Sequence, residues 1–262
     1  MPSYLLKLQR AEKHFADLEE AINAYGRQHL YEVRVTVESE NNVKKHRLVI
    51  LRGPDPEVSL IAGDFINNVR AGLDHLASAL VPLGDRRKVY FPILWEGVWD
   101  YTGDDAQRRE QRKSWKRWTR QMKPAAVAIL KELQPPYRER ESDHPDIHRL
   151  RIIQWVSNSD KHSALPPVST GLTDTTVRWE DARGEHFSAQ GGTRPEGRTV
   201  HHQAELMGIP DDAVNVQIEG TPVVAVRVSD PEGDIRIPQQ LAGIVGWVRE
   251  SIIERLVPFI QP

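Results

Sequence analysis

Near the start of the chain, Leu5, Leu8, Phe15, Leu18, Ala21, Ile22 and Tyr25 recur at helical spacing and predict a long amphipathic helix over residues 3–30. The period then drops to two. Tyr31, Val33, Val35 and Val37 alternate with Glu32, Arg34, Thr36 and Glu38, and a second β-rich run follows Asn41-Asn42 over residues 43–51. Together they predict a hairpin. Helical spacing returns over residues 58–81. At about 100° per residue, Ile61, Ala62, Phe65, Ile66, Val69, Leu73, Leu76 and Leu80 share one broad face. Asp55 or Ser59 is the expected cap, with Pro56 near the first turn, and Pro82 ends the helix.

Residues 89–94 form a short apolar segment broken by Pro92, and residues 96–105 read as an acidic loop. A basic helix is predicted over 106–122, with a break near Pro124 and helical continuation to 133. A further helix starts at Asp143 or Asp146 and ends at a polar turn, residues 158–162. From residue 175 short strands are predicted at 176–180, 186–189, 199–207, 214–219 and 223–228. Gly191-Gly192, Pro210-Asp211, Gly220-Thr221-Pro222 and Pro231-Glu232-Gly233 separate them. Residues 238–260 close the chain as an amphipathic helix. The expected fold class is α+β, a helical bundle with an antiparallel β-sheet built from the early hairpin and the C-terminal strands. The expected division is a mainly helical stretch, 1–165, and a β-rich stretch closed by a helix, 166–262; one domain combining both also fits.

Composition narrows the setting. Hydrophobic residues at 39% and charged residues at 27% belong to an ordinary globular chain. A net charge of −2 provides no global basic field, so a nucleic-acid surface must be local. The absence of cysteine removes disulfides and thiolate metal sites. Charge appears too early for a signal peptide, and Arg249, Glu250, Glu254 and Arg255 interrupt the late apolar stretch. The expectation is a cytoplasmic protein with no membrane span.

The polar face of the 58–81 helix holds the first candidate chemistry. It carries Asp64, Asn67, Asn68, Arg70, Asp74 and His75 but no Lys, Glu or Gln. Asn and Asp compete for backbone hydrogen bonds and are poor in helix interiors, so a helix that accepts several has a use for them. Arg70 and Asp74 are four apart and can pair. A guanidinium grips phosphate bidentately and an imidazole moves protons near neutrality, two parts needed to cleave RNA through its own 2′-hydroxyl.

The Arg70-x-x-x-x-His75 spacing resembles the signature of HEPN-type ribonucleases, helical-bundle proteins of bacterial toxin and defence systems. The wider string, Gly63-Asp64-Phe65, Asn68-Val69-Arg70 and Leu73-Asp74-His75-Leu76, resembles a group of uncharacterised bacterial and phage proteins that also carry Asn158-x-Asp160-Lys161-His162. The resemblance implies a metal-independent endoribonuclease without cofactors, acting as a homodimer. Its catalytic residues would be Arg70 and His75, its substrate RNA, and a cognate antitoxin or other protein its partner. Asp64, Asn67, Asn68, Asp74, Asn158, Asp160, Lys161 and His162 would support the site across one cleft.

The same residues support a second reading. Arg70–Asp74 can be a structural ion pair and His75 a histidine at a helix contact, leaving a non-catalytic binding module or a small anionic ligand site. Likewise, residues 158–162 can be a helix-ending turn. In the basic helix Arg109, Arg112, Lys113, Lys116 and Arg120 make a positive stripe, with Trp115 and Trp118 opposite. The stripe fits a phosphate backbone, or a solvated face over a core. A third, metal-dependent reading uses His144, His148 and His162, with Asp143 nearby; Pro145 between the first two works against helical metal spacing. His201 and His202 point to opposite faces of a strand and make a poor metal pair.

Overall fold

A computed structural model of the chain describes residues 1–28, 31–38, 43–86, 89–94, 98–99, 106–135, 148–162, 168–190, 200–201, 209–210, 212–227 and 234–261. Helix α1, Ser3–Gly26, leads into strands β1, Tyr31–Glu38, and β2, Val43–Ile50. These pair antiparallel from Tyr31↔Ile50 to Glu38↔Val43, as the alternation predicts. The central helix α2 is Glu57–Ala79. Asp55 is its capping side chain, because its carboxylate accepts from the Glu57 N–H at 2.9 Å; Ser59 is buried within the helix.

Helix α2 runs antiparallel to α1. Phe15 meets Phe65 with ring centroids 5.5 Å apart, and the Tyr25 hydroxyl donates to the Arg52 carbonyl at 2.7 Å. Gly72 marks the tightest approach. A β-carbon there would stand 3.3 Å from both the Leu8 side chain and the Tyr4 carbonyl oxygen. Of the apolar face read from the sequence, Ala62, Phe65, Ile66, Val69, Leu73, Leu76 and Leu80 are fully buried, while Ile61 is half-buried. Each large side chain removed from water contributes about 1.5–3 kcal/mol.

Helices α3, Ala106–Thr119, and α4, Pro124–Glu132, are separate, with Pro124 opening the second as expected of a residue lacking an N–H. Helix α5 is Arg149–His162. Its expected start at Asp143 or Asp146 lies outside the described residues. Its end corrects the sequence reading: residues 158–162 continue the helix instead of forming a turn. The turns before them are anchored by buried Leu150, Ile153, Val156 and Ser157, the last bonded to Asn67 of α2, and the polar residues extend that helix by one further turn although Asn and Ser by themselves favour a stop.

The C-terminal strands are longer than their sequence signals. Strand β3 is Val168–Glu180, β4 His186–Gln190, β5 Val200–His201, β6 Val214–Arg227 and β7 Asp234–Ile237. The order is β4-β3-β6-β7, with β5 also on β3 and the described pairings antiparallel. Gly220-Thr221-Pro222 was expected as a turn, but β6 passes straight through it. The irregularity is absorbed by a bulge between Thr173 and Thr176, where Asp174 takes a left-handed φ of 51°. A second bulge uses Asn215, whose side chain donates to Glu180 at 2.8 Å. Strand β7 has no forecast in the pattern. Residues 202–207 of the expected third strand lie outside the described residues.

The fold is α+β with small antiparallel sheets. The expectation of a single sheet is corrected: among the described residues the hairpin pairs with itself and meets the other sheet through side chains. Leu48 packs with Leu172, Val177 and Ile218, flanked by Tyr31, Val33 and Trp179. The closing helix begins late, because residues 238–243 turn first and Gly243 sits at φ 71°. It then runs as α6, Ile244–Trp247, a π-helical stretch, Val248–Ile253, and α7, Glu254–Leu256. Leu241, Ile244, Val248, Ile252 and Leu256 enter the same core as α1 and α2, so the 166–262 stretch is not packed by itself. No helix among the described residues is long and apolar enough to cross a membrane.

Candidate functional site

Arg70, Asp74 and Ser78 stand one turn apart on one ridge of α2 and run alongside residues 89–94. That extended segment is buried from Phe91 to Leu94, so its backbone N–H and C=O groups need partners inside the fold. Helix side chains provide them. The Arg70 Nη2 donates to the Phe91 carbonyl at 2.9 Å, and the Phe91 N–H donates to Asp74 Oδ1, also at 2.9 Å. Arg70 and Asp74 close the ring at 3.2 Å. Ser78 donates to the Val89 carbonyl at 3.5 Å. From the opposite side, the buried Gln134 side chain donates to the Pro92 and Leu130 carbonyls and accepts from the Leu94 N–H at 2.8 Å.

The segment is thus held as an extra strand would be, with side chains replacing a neighbouring backbone. Burial pulls the Arg70 pKa below its ordinary value, and the charge and hydrogen bond of Asp74 oppose that shift. The guanidinium stays cationic, as arginine does in proteins. Its Nη2 is engaged twice, and both two-pronged edges of a guanidinium use that nitrogen. The phosphate grip expected from sequence therefore meets an arginine already occupied by its own chain.

His75 sits elsewhere. At about 100° per residue it lies roughly 140° around α2 from Arg70. It lines a cavity with Ser3, Tyr4, Ser78 and Arg86, and its Nδ1 is shut off from solvent without a hydrogen-bond partner. The other supporting residues divide in the same way. Asn67 accepts a long, 3.4 Å hydrogen bond from buried Ser157 on α5. Asn68 donates back to the Asp64 carbonyl at 2.8 Å, and the Asp64 side chain is exposed. Asn158 is exposed on α5. The backbone of Asp160, Lys161 and His162 is helical, and their side chains lie outside the described residues. The single cleft joining Arg70 to His75 does not form; α2 presents a clamp on one side and a cavity wall on the other.

The basic helix keeps its stripe. Arg109, Lys113, Lys116, Arg117, Arg120 and Lys123 are exposed and Arg112 is half-buried. Arg109, Arg112, Lys113, Lys116 and Arg120 fall within about 100° of azimuth. Trp115 is buried edge-on against Trp99 at 5.5 Å, and Trp118 is half-buried with Arg117 5.8 Å from its ring. Both tryptophans face away from Arg109, Lys113 and Lys116, while Arg117 flanks the Trp118 ring.

The metal pair of His144 and His148 falls partly outside the described residues, and only His148 can be placed. Its Nδ1 accepts from the Leu150 N–H at 3.3 Å at the start of α5, and its ring meets Trp247 edge-on. His144, Asp143 and His202 lie outside the described residues, among which no group of three potential metal ligands occurs. Sequence reasoning missed Ser78, Arg86 and Gln134. Nothing in the local pattern marks them, since each acts on backbone brought close by the fold. Comparison with protein-family models found no match, and comparisons with curated proteins and with solved structures found none that is significant.

Proposed function

We propose that the chain is a cytoplasmic, non-catalytic RNA-binding module, with α3 as its recognition surface and Arg70–Asp74 as part of its frame. The observation that carries this reading is the exposed cationic stripe on α3, in a protein whose net charge is −2. Local concentration of positive charge on one helix face is what a phosphate backbone requires, through release of condensed counterions. The burial of Trp115 leaves little aromatic surface for stacking on bases, which favours contacts without sequence preference. The occupied Nη2 of Arg70 favours binding over cleavage by the Arg70/His75 pair.

Fluorescence anisotropy with a short single-stranded RNA, at two salt concentrations, tests the reading. Each lost phosphate contact lowers the slope of log affinity against log salt by about 0.7. Lys113→Glu/Lys116→Glu/Arg120→Glu should therefore weaken binding at low salt and flatten the slope by about 2. Equal binding by wild type and this variant would sink the proposal. The same samples, incubated with EDTA and run on a gel, check catalysis. RNA cleavage by wild type that is lost in folded Arg70→Ala and His75→Ala would restore the nuclease reading.

A further inference from the structure

The cations of α3 are ordered along two ridges. Arg112, Lys116 and Arg120 stand four residues apart on one ridge, which runs from the helix into the turn that ends it. Arg109, Lys113 and Arg117 make the parallel ridge, about 60° farther round the helix. Each step along a ridge rises about 6 Å. Like charges at this spacing repel one another and weaken a helix. Little on α3 offsets the repulsion. Glu110 is its single acid, and it meets Lys113 in an exposed pair at 3.4 Å. Arg112, Lys116 and Arg120 have no ion pair among the described residues. Arg112 is also half-buried, and its Nε is shut off from solvent without a hydrogen-bond partner. A guanidinium drawn partly out of water with no carboxylate beside it gains most from an anionic ligand.

The mounting of the helix discriminates between polyanions. Trp115 and Thr119 are buried, and Gln111, Ser114 and Trp118 are half-buried, so about half of the helix circumference is taken up by the rest of the chain. A helix set this deep lies across the rims of a groove and does not enter it. Its tryptophans are also out of reach of a strand held by the cations, since Trp115 is buried and Trp118 lies on the far side from Lys116. Proteins that hold single strands depend on aromatic rings for stacking. A surface that contacts phosphate alone instead favours the polymer that brings most phosphate within reach. A single strand offers one line of phosphates. A duplex groove offers two, and α3 has two lines of cations. In A-form RNA the major groove is narrow, so its two phosphate rims stand close enough for neighbouring ridges of one helix. The B-form major groove, about 12 Å wide, sets its rims apart and is used by helices that enter it whole.

We infer that the α3 surface binds double-stranded RNA, with one cation ridge on each phosphate rim of the major groove and no contact to base edges. The inference rests on the RNA-binding reading and narrows its ligand from RNA in general to the A-form duplex.

Fluorescence anisotropy with labelled ligands of one sequence is the test: an RNA duplex, one of its strands alone, and the matching DNA duplex. At low salt the full chain should hold the RNA duplex about tenfold tighter than the single strand, and with a steeper salt dependence, because more phosphates are neutralised. The DNA duplex should bind more weakly than the RNA duplex. Arg109→Gln/Lys113→Gln/Arg117→Gln removes one ridge and leaves the other to serve one strand. Its loss of affinity should be about tenfold greater for the RNA duplex than for the single strand. Arg112→Gln/Lys116→Gln/Arg120→Gln, which removes the other ridge, should show the same bias, so the outcome does not depend on one variant. Thermal melts of both should match wild type or rise, since like charges have been removed. Failure of all the ligands to bind would end the RNA reading and this inference together. A single strand bound as tightly as the RNA duplex would overturn the inference while RNA binding stands. A DNA duplex bound as tightly as the RNA duplex, or ridge variants that weaken duplex and single strand by the same factor, would also overturn it.

Discussion

Arg70 and Asp74 differ from an ordinary ion pair because each also holds one polar group of Phe91. Replacing a buried ion pair by apolar residues of similar size is often neutral or stabilising, because the cost of desolvating two charges disappears. Here the same replacement leaves the Phe91 N–H and C=O without partners in a buried segment. An unsatisfied buried group costs about 1–3 kcal/mol. Arg70→Met/Asp74→Leu should therefore lower stability by about 2–4 kcal/mol, measured by urea unfolding. A double variant within about 0.5 kcal/mol of wild type would show that the clamp contributes nothing beyond its own charges. The same logic explains why the pair was visible in the sequence but its role was not. The four-residue spacing announces an i,i+4 contact, whereas its acceptor lies 21 residues from Arg70, in a segment whose pattern shows only that it is apolar.

At the scale of elements, the contact between α1 and α2 depends on Gly72. Exchange for alanine brings two opposed terms. Alanine gains about 1 kcal/mol of helix propensity, while its β-carbon presses on Leu8 and the Tyr4 carbonyl at 3.3 Å. Valine loses most of the propensity gain and adds two methyl groups in the same tight space, so Gly72→Val should cost about 1–3 kcal/mol by overpacking. A thermal melt with an unchanged midpoint would mean that the two helices separate easily. The elements that sequence resolves well are those where one period persists. Leu5 to Tyr25 and Ile61 to Leu80 give α1 and α2, and the alternation after Tyr31 gives the hairpin. Boundaries set by punctuation were less legible. Pro222 lies beyond the reach of β7, where β6 has an open edge among the described residues, so its missing N–H interrupts no second ladder and the strand continues. The polar residues 158–162 look like a stop, but they extend a helix already anchored through Ile153, Val156 and Ser157. The candidate site was half legible for the same reason. The sequence marks Arg70 and His75 as residues of one polar face, yet they stand roughly 140° apart around α2, and the partners that define each side arrive from residues 3, 4, 86, 91 and 134.

At the scale of the molecule, two hydrophobic clusters among the described residues differ greatly in size. The large one joins α1, α2, the buried residues Phe91 and Leu94, Trp115 of α3, α4, α5 and the closing helix, with Val224 as the one buried residue it takes from the described sheet strands. The other has a buried centre of four residues, Leu48, Leu172, Val177 and Ile218, between the hairpin and the C-terminal sheet. Backbone pairing between β3 and β6 is extensive but is broken by two bulges. Apolar burial, not the hydrogen-bond ladder, supplies most of the net stabilisation, because the ladder's bonds are largely exchanged for bonds to water. The β-rich part should consequently open before the helical part unfolds. Native-state hydrogen exchange in low urea should show β3 and β6 amides exchanging through an opening at least ~2 kcal/mol below that of the α2 amides. Tyr31 touches both clusters, so Tyr31→Ala should widen that gap by loosening the hairpin from the bundle. If the β3 and α2 amides instead merge on one line at the lowest urea, the two clusters unfold as one cooperative unit. The small cluster would then be stabilised by its junction with the helices. In either case, the cationic stripe and the His75 cavity lie on the helical side, on elements that belong to the larger core. A binding surface carried by that core keeps its geometry while the sheet opens and closes.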